Sequence, residues 1–258
     1  MSIVKRLSIN SLFYNAYENF YSMANESNCF KRYCITAYGA DFSQDGFSDI
    51  SHVNQILEYA PKSNDLHILD VGCGNGKMLK YLQSKIGGFI YGFDYSENAI
   101  NTACADNVPN SDFKVGIIGE TDYPSSKFDL IISMDTIYFA KEMKKFIKQI
   151  HTWLKNDGIL FVGYQEGDIM SKTDNSESTV LAKALRANDF MYDVIDYTKQ
   201  TYDMLTHKRK TIVEYKNDFL RENLYDWYTI ILNQTNSVTV PYEDYIKSNA
   251  RYIYIARK

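Results

Sequence analysis

Residues 66–77, LHILDVGCGNGK, constrain the fold more than any other stretch. A short apolar run ends in Asp70, breaks into Gly72-Cys73-Gly74-Asn75-Gly76 and gives way to a helical pattern from Lys77. Strand, glycine turn and helix in that order make a binding junction. Glycine adopts backbone angles closed to other residues, and its missing side chain lets a ligand approach the main chain. The helix behind it opens with unpaired N–H groups and the positive end of its dipole, which suits an anionic group.

The alternation continues along the chain. Apolar strands are expected at 66–71, 89–93, 112–116, 128–133 and 159–164, with helices at 76–85, 96–106 and 140–154. Strands alternating with helices imply a parallel sheet with right-handed crossovers. Asp94 closes the second strand, the place where a βαβ unit sets an acid against a ribose. Ahead of the glycines, Leu12, Phe13, Tyr17, Phe20 and Tyr21 recur at helical spacing, and further helices are expected at 29–37 and 50–59. Beyond residue 165 the pattern suggests a helix at 178–187 and a strand at 190–197. A helical stretch then runs to 248, and a last strand covers 251–256.

Composition narrows the function classes. With 258 residues, 45% hydrophobic and 23% charged, the chain has the balance of a soluble globular protein. A net charge of −4 argues against a nucleic-acid partner, which needs a basic face. The densest basic cluster, Lys208-Arg209-Lys210, reads as a solvated helix face. Cys29, Cys34, Cys73 and Cys104 fall at no metal-ligand spacing and the histidines are scattered, so no metal is expected. Free thiols fit a reducing compartment. The opening residues lack the apolar core of a secretion signal, and no run is long enough to span a bilayer. A cytoplasmic location without a membrane partner is the expectation. The 22 tyrosines and 14 phenylalanines include many outside the sheet pattern, which suggests an aromatic lid.

The spacing D-x-G-x-G-x-G after an apolar strand resembles the first motif of the class I S-adenosylmethionine-dependent methyltransferases. FDLIISMDTIYF is similar to that family's fourth strand, and LKNDGILFV to its fifth, with Asn156-Asp157 in place of Pro-Gly. The resemblance covers roughly residues 60–165. Looser likenesses at YGADFSQDGFSDI and the terminal RYIYIARK point to bacterial small-molecule enzymes of that family. The family resemblance implies an α/β, Rossmann-like seven-stranded sheet with an antiparallel last strand and helices on both faces. It also implies this division: a helical lid at 1–60, a cofactor-binding core at 61–198, a helical insert at 199–248 and the final strand at 249–258. A nicotinamide dehydrogenase fits less well, because Lys77 stands where the third glycine of GxGxxG belongs.

The implied cofactor is S-adenosylmethionine, leaving as S-adenosylhomocysteine. Asp94 would accept the ribose hydroxyls. Gly72, Cys73, Gly74, Asn75 and Gly76 would present main chain to the methionine part, and Asp70 would orient that loop or meet the amino group. Tyr95, Ile117 and Ile118 would pack on ribose and adenine, and Met134 and Asp135 would line the methyl end. The family's acid after strand three is replaced by Ile117, so a main-chain carbonyl, Glu120 or Asp122 must meet the adenine amino group. For the acceptor, Tyr17, Tyr21, Tyr33, Gln44, Tyr138 and Tyr164 are the candidates, with Tyr138 and His52 as possible catalytic groups. Methyl transfer to a small molecule is expected, with nitrogen favoured over oxygen or carbon because a neutral amine needs no strong base. The alternatives are an RNA or protein methyltransferase and a non-catalytic cofactor-binding protein. Oligomeric state is not legible.

Overall fold

Each βα crossover in the sequence becomes one layer of a three-layer sandwich. The computed structural model describes residues 11–43, 46–63, 65–167 and 170–258. Three helices, α1 (Ser11–Glu26), α2 (Asn28–Tyr38) and α3 (Ile50–Tyr59), precede the sheet. Then follow β1 (His67–Val71), α4 (Lys77–Ile86), β2 (Phe89–Asp94), α5 (Glu97–Ala105), β3 (Ser111–Val115), β4 (Phe128–Met134), α6 (Met143–Trp153) and β5 (Leu154–Glu166). After them come α7 (Val180–Arg186), β6 (Met191–Asp196), α8 (Thr198–Glu214), α9 (Lys216–Arg221), α10 (Tyr225–Asn233), α11 (Tyr242–Ser248) and β7 (Ala250–Arg257). The seven strands lie in the order β3-β2-β1-β4-β5-β7-β6. β1 to β5 pair in parallel, and β7 runs antiparallel to both β5 and β6.

Both faces of the central strands are buried, which is why they read as unbroken apolar runs rather than alternating ones. One face packs on α6 and α7 through Phe146, Ile150, Trp153 and Leu181. The other packs on α3, α4 and α5 through Val53, Ile56, Leu79, Leu82 and Ile100. Full burial of each such side chain contributes roughly 1.5–3 kcal/mol.

A third cluster stands apart from the sheet. Phe20, Phe30, Tyr33 and Tyr38 of α1 and α2 pack against Leu205, Ile212, Phe219 and Ile231 of α8 to α10. Among the described residues ahead of the sheet, α1 and α2 join the late helices in a common cap, while α3 belongs to the sheet face. The basic cluster is a solvated face only at Lys210, which is exposed. Lys208 is buried with its ammonium 5.5 Å from the centre of the Tyr38 ring, and Arg209 donates to Leu232 O, Thr235 and Asn236. Asn156-Asp157-Gly158, ahead of the expected strand at 159–164, lies inside β5, where the ladder with β4 slips between Phe128 and Leu130. Asp157 takes the left-handed conformation there, φ 63°.

Candidate functional site

The carboxyl ends of β1, β2 and β4 open into a cavity of about 370 Å³, bounded on its outer side by α1 and by the chain between α2 and α3. The glycine turn forms its floor. Gly72 N and Cys73 N both donate to Phe93 O, at 2.9 and 3.1 Å, which locks the turn to the end of β2. Two glycines there are obligatory for space as well as angle. Gly72 has φ 78°, and a Cβ would lie 2.6 Å from Thr136 Cγ2; Gly74 has φ 52°, and a Cβ would lie 2.4 Å from the Tyr21 hydroxyl.

Asp94 is buried at the cavity wall. One oxygen accepts from Gly74 N and the other from Ser96 N, both at 3.0 Å. Burial raises its carboxyl to about 6, against the pull of these main-chain donors. Asp70 is buried beside it and is raised further, to about 8, first by burial and then by the charge of Asp94. Such a buried pair is costly and is relieved by a cation or a cluster of donors. The Cys73 thiol is pushed up by burial and both carboxylates, so it is not a nucleophile.

The far end of the cavity is built differently. Asp135, in the left-handed region with φ 61°, ends β4. Its Oδ2 accepts from Ser48 Oγ at 3.0 Å and Phe47 N at 3.2 Å, and its Oδ1 pairs with the Arg251 guanidinium and accepts from the Tyr138 hydroxyl at 3.4 Å. Arg251 is fully buried on β7 and also donates to Ser48 Oγ at 2.8 Å. Above the cavity Tyr17 meets Tyr95 edge to face, 5.7 Å between ring centres. At the helix that follows the glycines, Lys77 donates to Asp41 at 2.7 Å and to Ser43 at 2.6 Å.

Most of the residues named from sequence meet here. Asp70, Gly72, Cys73, Gly74, Asn75, Asp94, Tyr95, Ile117, Ile118, Met134, Asp135, Tyr17 and Tyr21 all line this one cavity. Others do not. Gly76 sits behind it as the N-cap of α4, packed on the Phe113 ring. Tyr33 is buried inside the cap cluster. Tyr164 is buried under the sheet, edge to face with Tyr138 and Tyr254. Tyr138 stands behind Asp135, its hydroxyl spent on that carboxylate, and burial beside the acid raises its pKa well above the usual phenol value. His52 is buried away from the cavity in a capping box: Nδ1 meets Asp49 at 2.7 Å and Nε2 meets Thr201 at 3.2 Å. Gln44 lies outside the described residues. Of the two acids offered for the adenine amino group, Glu120 lines the cavity, whereas Asp122 is turned onto the Trp153 indole at 2.8 Å.

The sequence reading missed Phe42, Ser43, Gly46, Ser48, Thr136, Phe139 and Lys141, which also line the cavity. It missed Arg251 behind them. An arginine inside the apolar run RYIYIA was the available signal, because a fully buried guanidinium requires a partner.

A family model described as a methyltransferase domain matches residues 69–162. The likeness lies in that stretch, on a sheet whose strand order and antiparallel β7 are those of the class I methyltransferase fold. Over 102 residues the chain is 30% identical to arginine-hydroxylase NDUFAF5, mitochondrial, of Rattus norvegicus, a match covering 38% of this chain and 28% of that protein. Over 214 residues it is 26% identical to phosphoethanolamine N-methyltransferase 1 of Zea mays, covering 73% of this chain and 42% of that protein. The match thus spans less than half the length of either curated relative. The structure of Haemonchus contortus phosphoethanolamine N-methyltransferase 2, in complex with phosphomonomethylethanolamine and S-adenosylhomocysteine, aligns over 93% of this chain and 59% of that one. Its TM-score is 0.74 at 17% identity, a likeness of fold.

The methyltransferase domain's own residues fit the cofactor. The glycine cradle that any Cβ would fill, the buried acids and the open edge at Ile117 and Ile118 suit an adenosyl group joined to a cationic amino acid. Among the described residues no group of three His, Cys, Asp or Glu side chains could hold a metal ion. No described helix is long and apolar enough to cross a membrane.

Proposed function

We propose that this chain transfers a methyl group from S-adenosylmethionine to the nitrogen of a small amine. The observation that carries the reading is the cavity's chemistry. Its described lining holds four acids, Asp70, Asp94, Glu120 and Asp135, with Lys141 as its one lysine and no histidine or arginine. Asp135 is matched by Arg251 behind it, so the excess of acid lies at the glycine-turn end, where it suits a cationic cofactor, and the described lining offers the acceptor no imidazole base. A neutral amine is a competent nucleophile without one.

In this reading Asp94 takes the ribose hydroxyls, and Asp70 with the 72–74 main chain holds the amino-acid end. Ile117, Ile118 and Tyr95 pack on the adenosine, with Glu120 nearest the amino group. Met134 and Asp135 border the methyl end. The cofactor, when bound, supplies an electrophilic methyl carbon on a sulfonium. The chain's part is to hold donor and acceptor in line, which removes on the order of 7–11 kcal/mol of barrier. The rings of Tyr17, Phe20 and Tyr21 exclude water and attract positive charge by ~0.5–2 kcal/mol each. An RNA acceptor loses its main support once Lys208 and Arg209 are engaged inside the cap.

Calorimetric titration with S-adenosylmethionine and S-adenosylhomocysteine tests the cofactor half. Mass-spectrometric detection of methyl transfer to a panel of amines, phenols, indoles and phosphoethanolamine tests the acceptor half. Saturable cofactor binding with methylated amines is the expected result. No cofactor binding by the wild-type chain sinks the reading, and methylation confined to phenols sinks the preference for nitrogen.

A further inference from the structure

Asp135 is saturated. Its two oxygens meet four partners: Arg251 from β7, Tyr138 just past β4, and Ser48 and Phe47 from the chain ahead of α3. A carboxylate so engaged, with its charge matched by a guanidinium, is not a general base. Its position at the methyl end of the cavity therefore calls for another role. The partners come from three places that share nothing in sequence, and each shows local accommodation. Asp135 takes the left-handed conformation, which Asp tolerates better than most residues. Gly163 leaves room for the guanidinium, since a Cβ there would lie 2.5 Å from Arg251 Nη2. Gly46 lies against Asp135 Oδ2, where its Cβ would come within 3.2 Å.

We infer that Arg251 is the positioning residue of the acceptor half: through Asp135 and Ser48 it holds the 46–48 segment as the wall against which the acceptor docks. The inference rests on the methyltransferase reading for the word acceptor. The contact set belongs to the structure itself. Gly46 and Ser48 line the cavity, so moving them changes its shape at the methyl end and leaves the glycine turn untouched. Because the anchor is an ion pair, that wall is uncharged, and the acceptor is held there by shape rather than by a salt bridge. Lysine replaces Arg251 only in part, since it lacks the planar fork whose Nη1 meets Asp135 while Nη2 meets Ser48.

The test uses the full chain and four variants: Arg251→Lys, Arg251→Met, Asp135→Asn and Ser48→Ala. Asparagine is the chosen replacement at 135 because it keeps the left-handed backbone. Amide hydrogen exchange is read residue by residue, and S-adenosylhomocysteine affinity is measured by calorimetry on the same samples. The expected result is exchange at Phe47 and Ser48 at least tenfold faster in Asp135→Asn and Arg251→Met, with a smaller change in Arg251→Lys and Ser48→Ala. In the two Arg251 variants, whose side chain lies behind the cavity, cofactor-product affinity is expected to stay within about threefold of wild type. A merely structural role for Arg251 would instead speed exchange throughout β4, β5 and β7. That pattern, or unchanged exchange at 47 and 48, overturns the proposal. So does a tenfold loss of S-adenosylhomocysteine affinity in Asp135→Asn, which would assign the residue to the cofactor. Should Arg251→Met not fold, Asp135→Asn and Ser48→Ala carry the test alone. Should wild type bind no S-adenosylhomocysteine, the methyltransferase reading falls while the exchange pattern still decides the anchor.

Discussion

Asp94 and Asp135 are both aspartates at the carboxyl ends of strands, both turned to one cavity, and they are held in opposite ways. Asp94 is held by its neighbourhood: Ser96 N, two residues on, and Gly74 N in the adjoining turn. Asp135 is held by residues remote in sequence, Ser48 and Phe47 on one side and Arg251 on the other. The first keeps main-chain donors and an unmatched charge, raised to about 6 by burial. The second is matched by a buried guanidinium. One end of the cavity is thus poised to accept donors from a ligand, and the other has already spent its acceptors on the fold.

The contrast is sharpest at Arg251. Arg251→Met leaves Asp135 without its cation and should cost about 3–5 kcal/mol, read as a lowered denaturation midpoint, while folded protein keeps its cofactor affinity. Equal loss at both ends would erase the distinction. Asp94→Ala should do the reverse: a fall of about 10²-fold in S-adenosylhomocysteine affinity by calorimetry, from two lost charge-assisted ligand bonds, with the 46–48 amides still protected.

A further difference separates the two ends by pH. Asp70 is raised to about 8 in the fold, so between its ordinary range near 4 and pH 8 the native state holds a proton that the unfolded chain releases. Its contribution to stability is therefore present at pH 4 and lost as pH rises through 8. Asp70→Asn should raise the melting temperature at pH 8 and leave it unchanged at pH 4. A rise of equal size at both pH values would show that charge is not the cause. Smallest of all is Lys77→Ala, which breaks the partly exposed pair with Asp41. Its effect, read by the melting temperature, should stay within about 0.2–1 kcal/mol.

The same contrast explains what could be read without coordinates. The glycine turn, Asp70, Asp94 and the strand ends occupy one contiguous βαβ stretch, where periodicity and punctuation are enough to place them. The parallel α/β core follows from the same alternation, whereas the seven-stranded sheet with its antiparallel last strand came from the family resemblance. The acceptor wall has no such local grammar. Ser48 and Arg251 mean nothing to each other in sequence, and their meeting depends on β7 entering between β5 and β6. His52 and Tyr33 misled for a related reason: both are polar or aromatic residues on amphipathic helices, and spacing alone does not say whether that face meets a cavity, the sheet or other helices. The cap shows this plainly, since its two halves come from helices before the sheet and helices after β6.

Placing β7 between β5 and β6 also sets an order of events. The glycine-turn end of the cavity rests chiefly on β1, the turn and β2, whose contacts close short loops. The opposite wall waits for a strand that must find two antiparallel partners and carry a guanidinium to an aspartate on β4. Contacts across such separations form late, because the entropy of closing the chain is lost before they repay it. A folding chain would pass through a stage at which it holds the glycine turn and has no wall of residues 46–48 across from it.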